Sequence, residues 1–343
     1  MRHSSRAVLG GASRGFDAMP GAGGLPSVSI VMPTWKRVAF LRETLESIRA
    51  QHLEDWELIV ADDGSGPELR AAVAMLTHDD PRVRLLPLEH SGNPPAVRNA
   101  ARARARGELI AFIDSDDVWL PEKLHLQVRA LQARPESGWS YTGFTLIDSK
   151  GNALQRRGLS AFGAADPGSR EALFASLLEG KALVAQSSVM MRRALFDALG
   201  GYDIQFPICG DYELWLRAAQ RSPAAILPTP LVQVRRHQDH YSDDIAACAD
   251  FFAVLNAVHH RGVPQPLRAV MRRRRGQAAA ALARSCARHG AGRTMTHALL
   301  SSVAFGWREL AWWRGAVSAC ARLCTPPALH ALMRRLLRRP QAT

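Results

Sequence analysis

The sequence has no run of uncharged apolar residues as long as the roughly 18 that a membrane-spanning helix needs. Its longest such stretch, 294–307, is too short and carries His297, so a classical transmembrane segment is not expected. A secretory signal is missing as well, because it needs a compact apolar block behind its basic residues. Residues 1–26 are instead rich in Gly, Ser and Ala with scattered Arg2, Arg6 and Arg14, and are read as a disordered leader. Cysteine is scarce. Cys209, Cys248, Cys286, Cys320 and Cys324 are odd in number and show no CxxC pair or zinc spacing. That excludes a disulfide framework and a zinc module and points to a reducing, cytoplasmic compartment. Gly10, Gly11 and Gly15 follow no strand and so make no dinucleotide fingerprint. No internal repeat is found.

Acidic residues nearly vanish at the C-terminal end. From Arg261 onward there are 16 Arg, no Lys and one acid, Glu309, a local charge of +15 within a total of +13. The first 260 residues therefore sum to −2. The chain reads as a nearly neutral globular part, 27–244, followed by a helical, Arg-rich extension, 245–343.

What is present is an alternation of strands and helices. Residues 27–33 form a β-branched run closed by Pro33, and 38–51 follow with helical periodicity, placing Phe40, Leu41, Leu45 and Ile48 on one face. A second strand over 56–61 ends at Asp62-Asp63-Gly64-Ser65. A helix over 67–76, a strand over 82–88 and a helix over 95–106 lead through Gly107 into a strand over 108–113. This order predicts an α/β fold, a Rossmann-like and mostly parallel sheet flanked by helices. Further on, 121–133 reads as a helix, 139–147 and 184–192 as strands, and 193–199 as a helix. Residues 211–219 follow as a helix and 224–235 as a final strand. The Gly/Ala/Ser-rich segment 158–169 reads as a mobile lid or a disordered connection.

The run Phe112-Ile113-Asp114-Ser115-Asp116-Asp117 crowds three carboxylates into four positions at a strand end. Repelling charges of this kind persist most readily around a divalent cation, and hard oxygen ligands suit Mg²⁺ or Mn²⁺. An acidic turn capping the following helix is the simpler alternative. In parallel sheets ligands gather at the carboxyl ends of strands, where both acidic turns sit. The two turns are expected to converge.

Six motifs occur in order: Val28-Ser29-Ile30-Val31-Met32-Pro33-Thr34, Asp62-Asp63-Gly64-Ser65, Ala96-Val97-Arg98-Asn99, Gly107-Glu108, Asp114-Ser115-Asp116-Asp117 and Gly210-Asp211-Tyr212-Glu213-Leu214-Trp215. On this set, residues 27 to about 240 resemble the family 2 glycosyltransferases, whose fold is GT-A. The resemblance implies an inverting, metal-dependent enzyme that moves one sugar from a nucleotide-sugar, with a lean to UDP, onto a glycan or lipid-linked acceptor hydroxyl. It implies that Asp63 hydrogen-bonds the base and that Pro33 and Thr34 line the nucleotide. Asp62 is either a direct ligand or a strand-end turn acid, and Gly64 and Ser65 form the turn. The acidic run corresponds to the DxD motif. Asp114 and Ser115 would face the donor, Asp116 would bind Mn²⁺ or Mg²⁺, and Asp117 would stand behind them. Asp211 is the implied general base, although an Asp opening a helix also fits an N-cap. Relatives often carry Glu where Gly210 stands. Arg98 and Asn99 contact phosphate or ribose, or simply pack on a helix. His237 resembles a histidine that touches metal or diphosphate in some relatives; an exposed loop position is the alternative. Trp35, Trp119 and Trp215 could stack on a sugar, with core packing the default.

Arginines with Trp and Leu on a helical pattern describe a segment lying at an anionic membrane surface, which would make the enzyme peripheral to the inner leaflet. A basic subdomain packed on the core is the alternative, and no nucleic-acid-reading module is recognised. Processive synthases of the family add a Gln-x-x-Arg-Trp motif and spanning helices; neither is present, so single transfer is expected. A nucleotidyltransferase would need a Gly-rich loop after the first strand, where Pro33-Thr34-Trp35-Lys36-Arg37 stands. A degenerate GT-A domain that only binds glycans is disfavoured by the joint presence of Asp63, Asp114, Asp116 and Asp211.

Overall fold

The computed structural model describes residues 25–36, 38–77, 80–157, 169–236, 245–306, 312–317 and 319. The leader, nearly all of 158–169, His237 and the arginines beyond residue 319 lie outside the described residues. Strand β1 (Val28–Thr34), helix α1 (Val38–Arg49), β2 (Trp56–Asp62), α2 (Pro67–Thr77), β3 (Val83–Pro87), α3 (Pro94–Arg102) and β4 (Leu109–Phe112) alternate as the sequence pattern requires. β1 lies between β2 and β4, with β3 outside β2, and all three pairings are parallel. Successive side chains of a strand point to opposite faces. Accordingly Ile30, Met32, Leu109 and Ala111 pack with Leu41, Leu45 and Leu124 on one face. Val31, Ile110 and Phe112 join Val97, Phe196 and Trp215 on the other.

The chain continues through β5 (Val118–Trp119), α4 (Lys123–Ala133), β6 (Trp139–Ile147), β7 (Ala153–Arg157), α5 (Arg170–Glu179), a 3-10 turn at Gln186–Ser188, β8 (Val189–Arg192), α6 (Arg193–Ala198), α7 (Gly210–Arg221) and β9 (Ala224–Arg235). The sheet order is β3-β2-β1-β4-β8-β6-β9-β5, with β7 beside β6. The parallel expectation holds for the first four strands. Beyond β4 the sheet is mixed, because β8 runs antiparallel to both β4 and β6. The turn at 186–188 sits where β4 ends, with the Asp114 N–H donating to Ser187 Oγ at 2.9 Å, so the strand leaving it must run back along β4.

Three elements were not anticipated: β5, β7 and α5. Apolar Leu173, Phe174, Leu177 and Leu178 carry α5 into the core in adjacent pairs rather than as an extended stripe. The expected strand over 184–192 is a strand only from Val189, its first part being the 3-10 turn.

The extension is helical, with α8 (Ile245–Arg261), α9 (Arg268–Arg288) and α10 (Gly292–Gly306). Phe252, Leu255, Met271, Ala279, Leu282 and Ala283 belong to the same buried cluster as Phe112 and Trp215. These helices therefore share a core with the sheet. Among the described residues no helix is long and apolar enough to cross a membrane.

Candidate active site

The carboxyl ends of β1, β2 and β4 open into a cleft of about 420 Å³. Pro33, Thr34, Asp63, Arg98, Asp114, Ser115 and Asp116 line it, together with Trp35, His90 and Gly92. The two acidic turns thus share one hollow, as their positions after parallel strands require.

The second strand's turn is built around Asp63. Its backbone N–H donates to Thr34 O at 3.0 Å, tying β2 to β1. Its Oδ1 accepts from the Ser91 N–H and hydroxyl at 2.8 and 2.9 Å, and its Oδ2 accepts from the Gly92 N–H at 2.9 Å. His90 Nδ1 also stands 3.1 Å from Oδ2, so the loop engages both carboxylate oxygens. Asp63 therefore fixes the His90–Gly92 loop as one wall of the cleft. Gly64 has φ +74, and a Cβ there would meet His90 Cβ at 2.8 Å, so both backbone and space demand glycine. Asp62 does not face the cleft. It is fully buried, accepts the Ser65 N–H at 2.9 Å and lies 3.6 Å from Arg70. Of the two expected roles, these contacts are those of the strand-end turn acid.

At the acidic turn, Arg98 Nη2 donates to Asp114 Oδ1 at 2.5 Å, and the guanidinium lies over the Tyr202 ring. Burial of Arg98 weakens its charged form, yet Asp114, Tyr202 and Asp211 more than compensate and hold its proton above the ordinary arginine range. Asp117 stands behind the turn. It accepts from Ser187 Oγ at 2.5 Å and from the Arg235 N–H at 2.9 Å. Burial first, then the charges of Asp116 and Asp114, push its carboxyl well above the usual range. Arg235 is itself buried and also donates to Asp116 O at 2.9 Å, pinning β9 under the turn. Asn99 turns away from the cleft. Its amide donates to Tyr202 O at 2.8 Å and its oxygen accepts the Tyr202 N–H at 2.9 Å. Its side chain is thus engaged by the Tyr202 backbone, in line with the packing alternative.

Asp211 lies in the first turn of α7 and is half-buried. Its Oδ1 accepts its neighbour's N–H, from Tyr212, at 2.6 Å. Burial raises its carboxyl to about 6, with Arg98 pulling it down and Asp114 pushing it up. Arg98 and Asp114 are thus the charged groups that Asp211 feels, although Asp211 is not itself among the residues lining the cleft. Gly210 lets α7 approach α3, since a Cβ there would meet Pro95 Cγ at 2.9 Å.

With this geometry the comparisons are specific. The signature described as Glycosyl transferase family 2 matches residues 29–200, about half of the chain. The chain belongs to the family 2 glycosyltransferases. It is 31% identical over 131 residues to the putative teichuronic acid biosynthesis glycosyltransferase TuaG of Bacillus subtilis, covering 38% of this chain and 52% of that protein. It is 33% identical over 122 residues to WfgD of Escherichia coli, named as a UDP-Glc:alpha-D-GlcNAc-diphosphoundecaprenol beta-1,3-glucosyltransferase, covering 36% and 47%. The matched stretch thus spans about half of each relative's own length. Among solved structures, TarS residues 1–349 of S. aureus superposes with TM-score 0.58 at 14% identity, covering 87% of this chain and 89% of that one. The mannosyltransferase PcManGT of Pyrobaculum calidifontis, solved with GDP-Man and Mn²⁺, gives 0.56 at 18%, covering 95% and 91%. At these identities the likeness is one of fold, and that fold is GT-A.

Within this family 2 chain, His90, Lys36 and Ser187, at or near the cleft, escaped the sequence reading. His90 stacks on Trp35 with ring centroids 4.8 Å apart, and Trp35, for which core packing was the default and sugar stacking the alternative, is 42% exposed at the cleft. Trp119 and Trp215 are core residues as expected. Lys36, beside Trp35, is the non-glycine residue with positive φ, 53°, among the described residues, held by its N–H to Ser65 Oγ at 2.9 Å. Ser187 binds both Asp114 and Asp117. None of these carries a sequence signal, because each acts through a contact distant in the chain.

Among the described residues no three His, Cys, Asp or Glu side chains converge as a metal cluster. Asp114 and Asp116 do line one cleft, and the upward push that they exert on Asp117 marks a concentration of negative charge. A Mg²⁺-like ion is commonly held by one or two carboxylates plus substrate phosphates. This donor set fits such an ion.

Proposed function

We propose that the chain is an inverting glycosyltransferase that transfers a single sugar from a nucleotide-sugar, with UDP the favoured nucleotide, to a lipid-linked or glycan hydroxyl in cell-surface polysaccharide synthesis. One observation carries the reading: the loops after β1, β2 and β4 line a single cleft, and Asp211 feels the charges of its Arg98–Asp114 pair. Asp63 and the wall it fixes would receive the base. Asp114, Ser115 and Arg98 would receive the ribose and diphosphate, and Asp116 would hold Mn²⁺ or Mg²⁺. When bound, the cation would supply Lewis-acid stabilisation of the departing diphosphate. Asp211 takes the acceptor's proton as the hydroxyl oxygen attacks the anomeric carbon and the sugar–phosphate bond breaks. Its carboxyl, raised to about 6, is ionised at neutral pH while holding more proton affinity than an ordinary aspartate. The relatives add direction: WfgD is named for a UDP-Glc donor and a diphosphoundecaprenol acceptor. TarS has been solved with UDP-GlcNAc, and that complex superposes with TM-score 0.54.

A thermal-shift screen of nucleotide sugars with and without Mn²⁺ tests the donor site. One nucleotide sugar is expected to stabilise the protein only with the ion, and Asp116→Ala to lose that response. Equal stabilisation of the variant would overturn the metal assignment.

For the extension we propose peripheral docking at an anionic inner leaflet. Leu300 and Val303 on α10 are exposed, as are Trp313 and Val317 on the helical segment after it, and the same two segments carry exposed Arg293 and Arg314. Partition onto anionic vesicles at low salt should fall at least about threefold in a Leu300→Asp, Trp313→Asp variant. Unchanged partition would sink the docking surface.

A further inference from the structure

Helix α7 starts without a cap of its own. Cys209 occupies the N-cap and makes no side-chain cap hydrogen bond. The acceptor comes from the extension. Asp250 on α8 takes the N–H of Ile208 at 2.9 Å and that of Cys209 at 2.6 Å, both on Oδ2. Burying that carboxylate is costly, and its affinity for a proton rises accordingly. What the site gains is a fixed negative charge at the positive end of the α7 dipole.

The same helix grips the residues that follow. The Tyr212 ring packs on Phe251 at 5.4 Å, and its hydroxyl donates to Leu177 O at 3.0 Å. Glu213 is buried between Arg217 and Arg261, the last residue of α8, each at 2.5 Å. Ile208 and Cys209 before Asp211, and Tyr212 and Glu213 after it, are thus all held by contacts that include α8. The charges that face Asp211 itself come from elsewhere, from Arg98 on α3 and Asp114 on the acidic turn.

From this we infer that Asp250 is a positioning residue for Asp211: by holding the two N–H groups just ahead of α7 from the extension, it sets where the proton acceptor stands. The inference rests on the proposed role of Asp211. It makes the Arg-rich extension part of the catalytic apparatus rather than an appendage. A misplacement of about 1 Å at a reacting group costs on the order of 100-fold in rate.

The test uses the full chain with UDP-glucose and Mn²⁺, reading UDP release and donor affinity. Asp250→Ala is expected to lower kcat by roughly 10- to 100-fold with donor KM within about twofold. Asp250→Asn should restore kcat to within about threefold, since one amide oxygen can accept both N–H groups. Ser169→Ala removes the α5 cap, which accepts the Ala172 N–H at 3.1 Å, and should leave kcat unchanged. A second readout needs no donor. In a ¹³C-carboxyl NMR titration, Asp250→Ala should move the Asp211 midpoint from about 6 toward the ordinary range as water enters the frayed turn, while Asp250→Asn should not. An unmoved midpoint or an unchanged kcat in Asp250→Ala overturns the inference, as does an asparagine variant as slow as the alanine one. Turnover persisting in Asp211→Asn would instead overturn the underlying reading.

Discussion

The acidic turn after β4 and the first turn of α7 bring carboxylates to neighbouring places by opposite means. At the turn, and at Asp63 beside it, the acids are held by dedicated donors: Arg98 for Asp114, Ser187 and the Arg235 N–H for Asp117, the Ser91 and Gly92 groups for Asp63. Asp211 accepts the N–H of its own neighbour and is otherwise governed by burial. On the proposed roles, the contrast has a physical reason. A group that binds a ligand benefits from fixed geometry, whereas a group that takes a proton benefits from poor solvation, which brings its proton affinity near the working pH.

The largest effect should come from separating those roles. Asp211→Asn keeps the shape but cannot accept the proton, so kcat should fall about 10²- to 10⁴-fold. Donor affinity should stay within about twofold, because the proposed donor contacts are elsewhere. A variant that loses donor binding and turnover in parallel would erase the contrast between the two regions. A smaller effect tests the link between them. Arg98 holds the Asp211 carboxyl down. Arg98→Met should therefore raise it further and move the acidic limb of the rate profile toward neutral pH. The ratio of kcat at pH 6 to kcat at pH 8 should fall by roughly three- to tenfold. An unmoved limb would mean that the arginine serves the donor side alone.

These two regions also differ in how far the sequence betrays them. The cleft is written in local runs at strand ends, so β1, β2 and β4 and the convergence of Asp63, Asp114 and Asp116 on one hollow could be read directly. Asp62 and Asn99 sit in the same motifs, yet their side chains are spent on Ser65 and on Tyr202. Motif membership alone did not separate ligand from scaffold. What holds these groups in place is long-range on both sides: Ser187 reaches the acidic turn over 70 residues or more, and Asp250 reaches the start of α7 over about 40. Period and spacing carry no trace of such pairs. In the Arg-rich extension the charge is conspicuous in the sequence, whereas Met271, Ala279, Leu282 and Ala283, which attach it to the core, are not.

The smallest effect concerns stability, and it isolates burial from chemistry. Asp211 has a folded value of about 6 against an ordinary 3.8. Between those values the unfolded chain has released the proton that the folded chain keeps. Folding then takes up a proton, so this group's contribution to stability falls as pH rises from about 4 to 6 and is level above that. Asparagine does not titrate there. The melting temperature of Asp211→Asn minus that of the wild type should therefore grow across this window, with other carboxylates cancelling in the difference. Two units would correspond to about 3 kcal/mol, and partial access of water to a half-buried group reduces this to roughly 1–2 kcal/mol. That is a shift on the order of 2–4 °C, measurable by calorimetry at pH 4, 5, 6 and 7.5. A difference that stays flat over this range would make Asp211 an ordinary solvated carboxylate, and the two regions would then hold their acids in the same way.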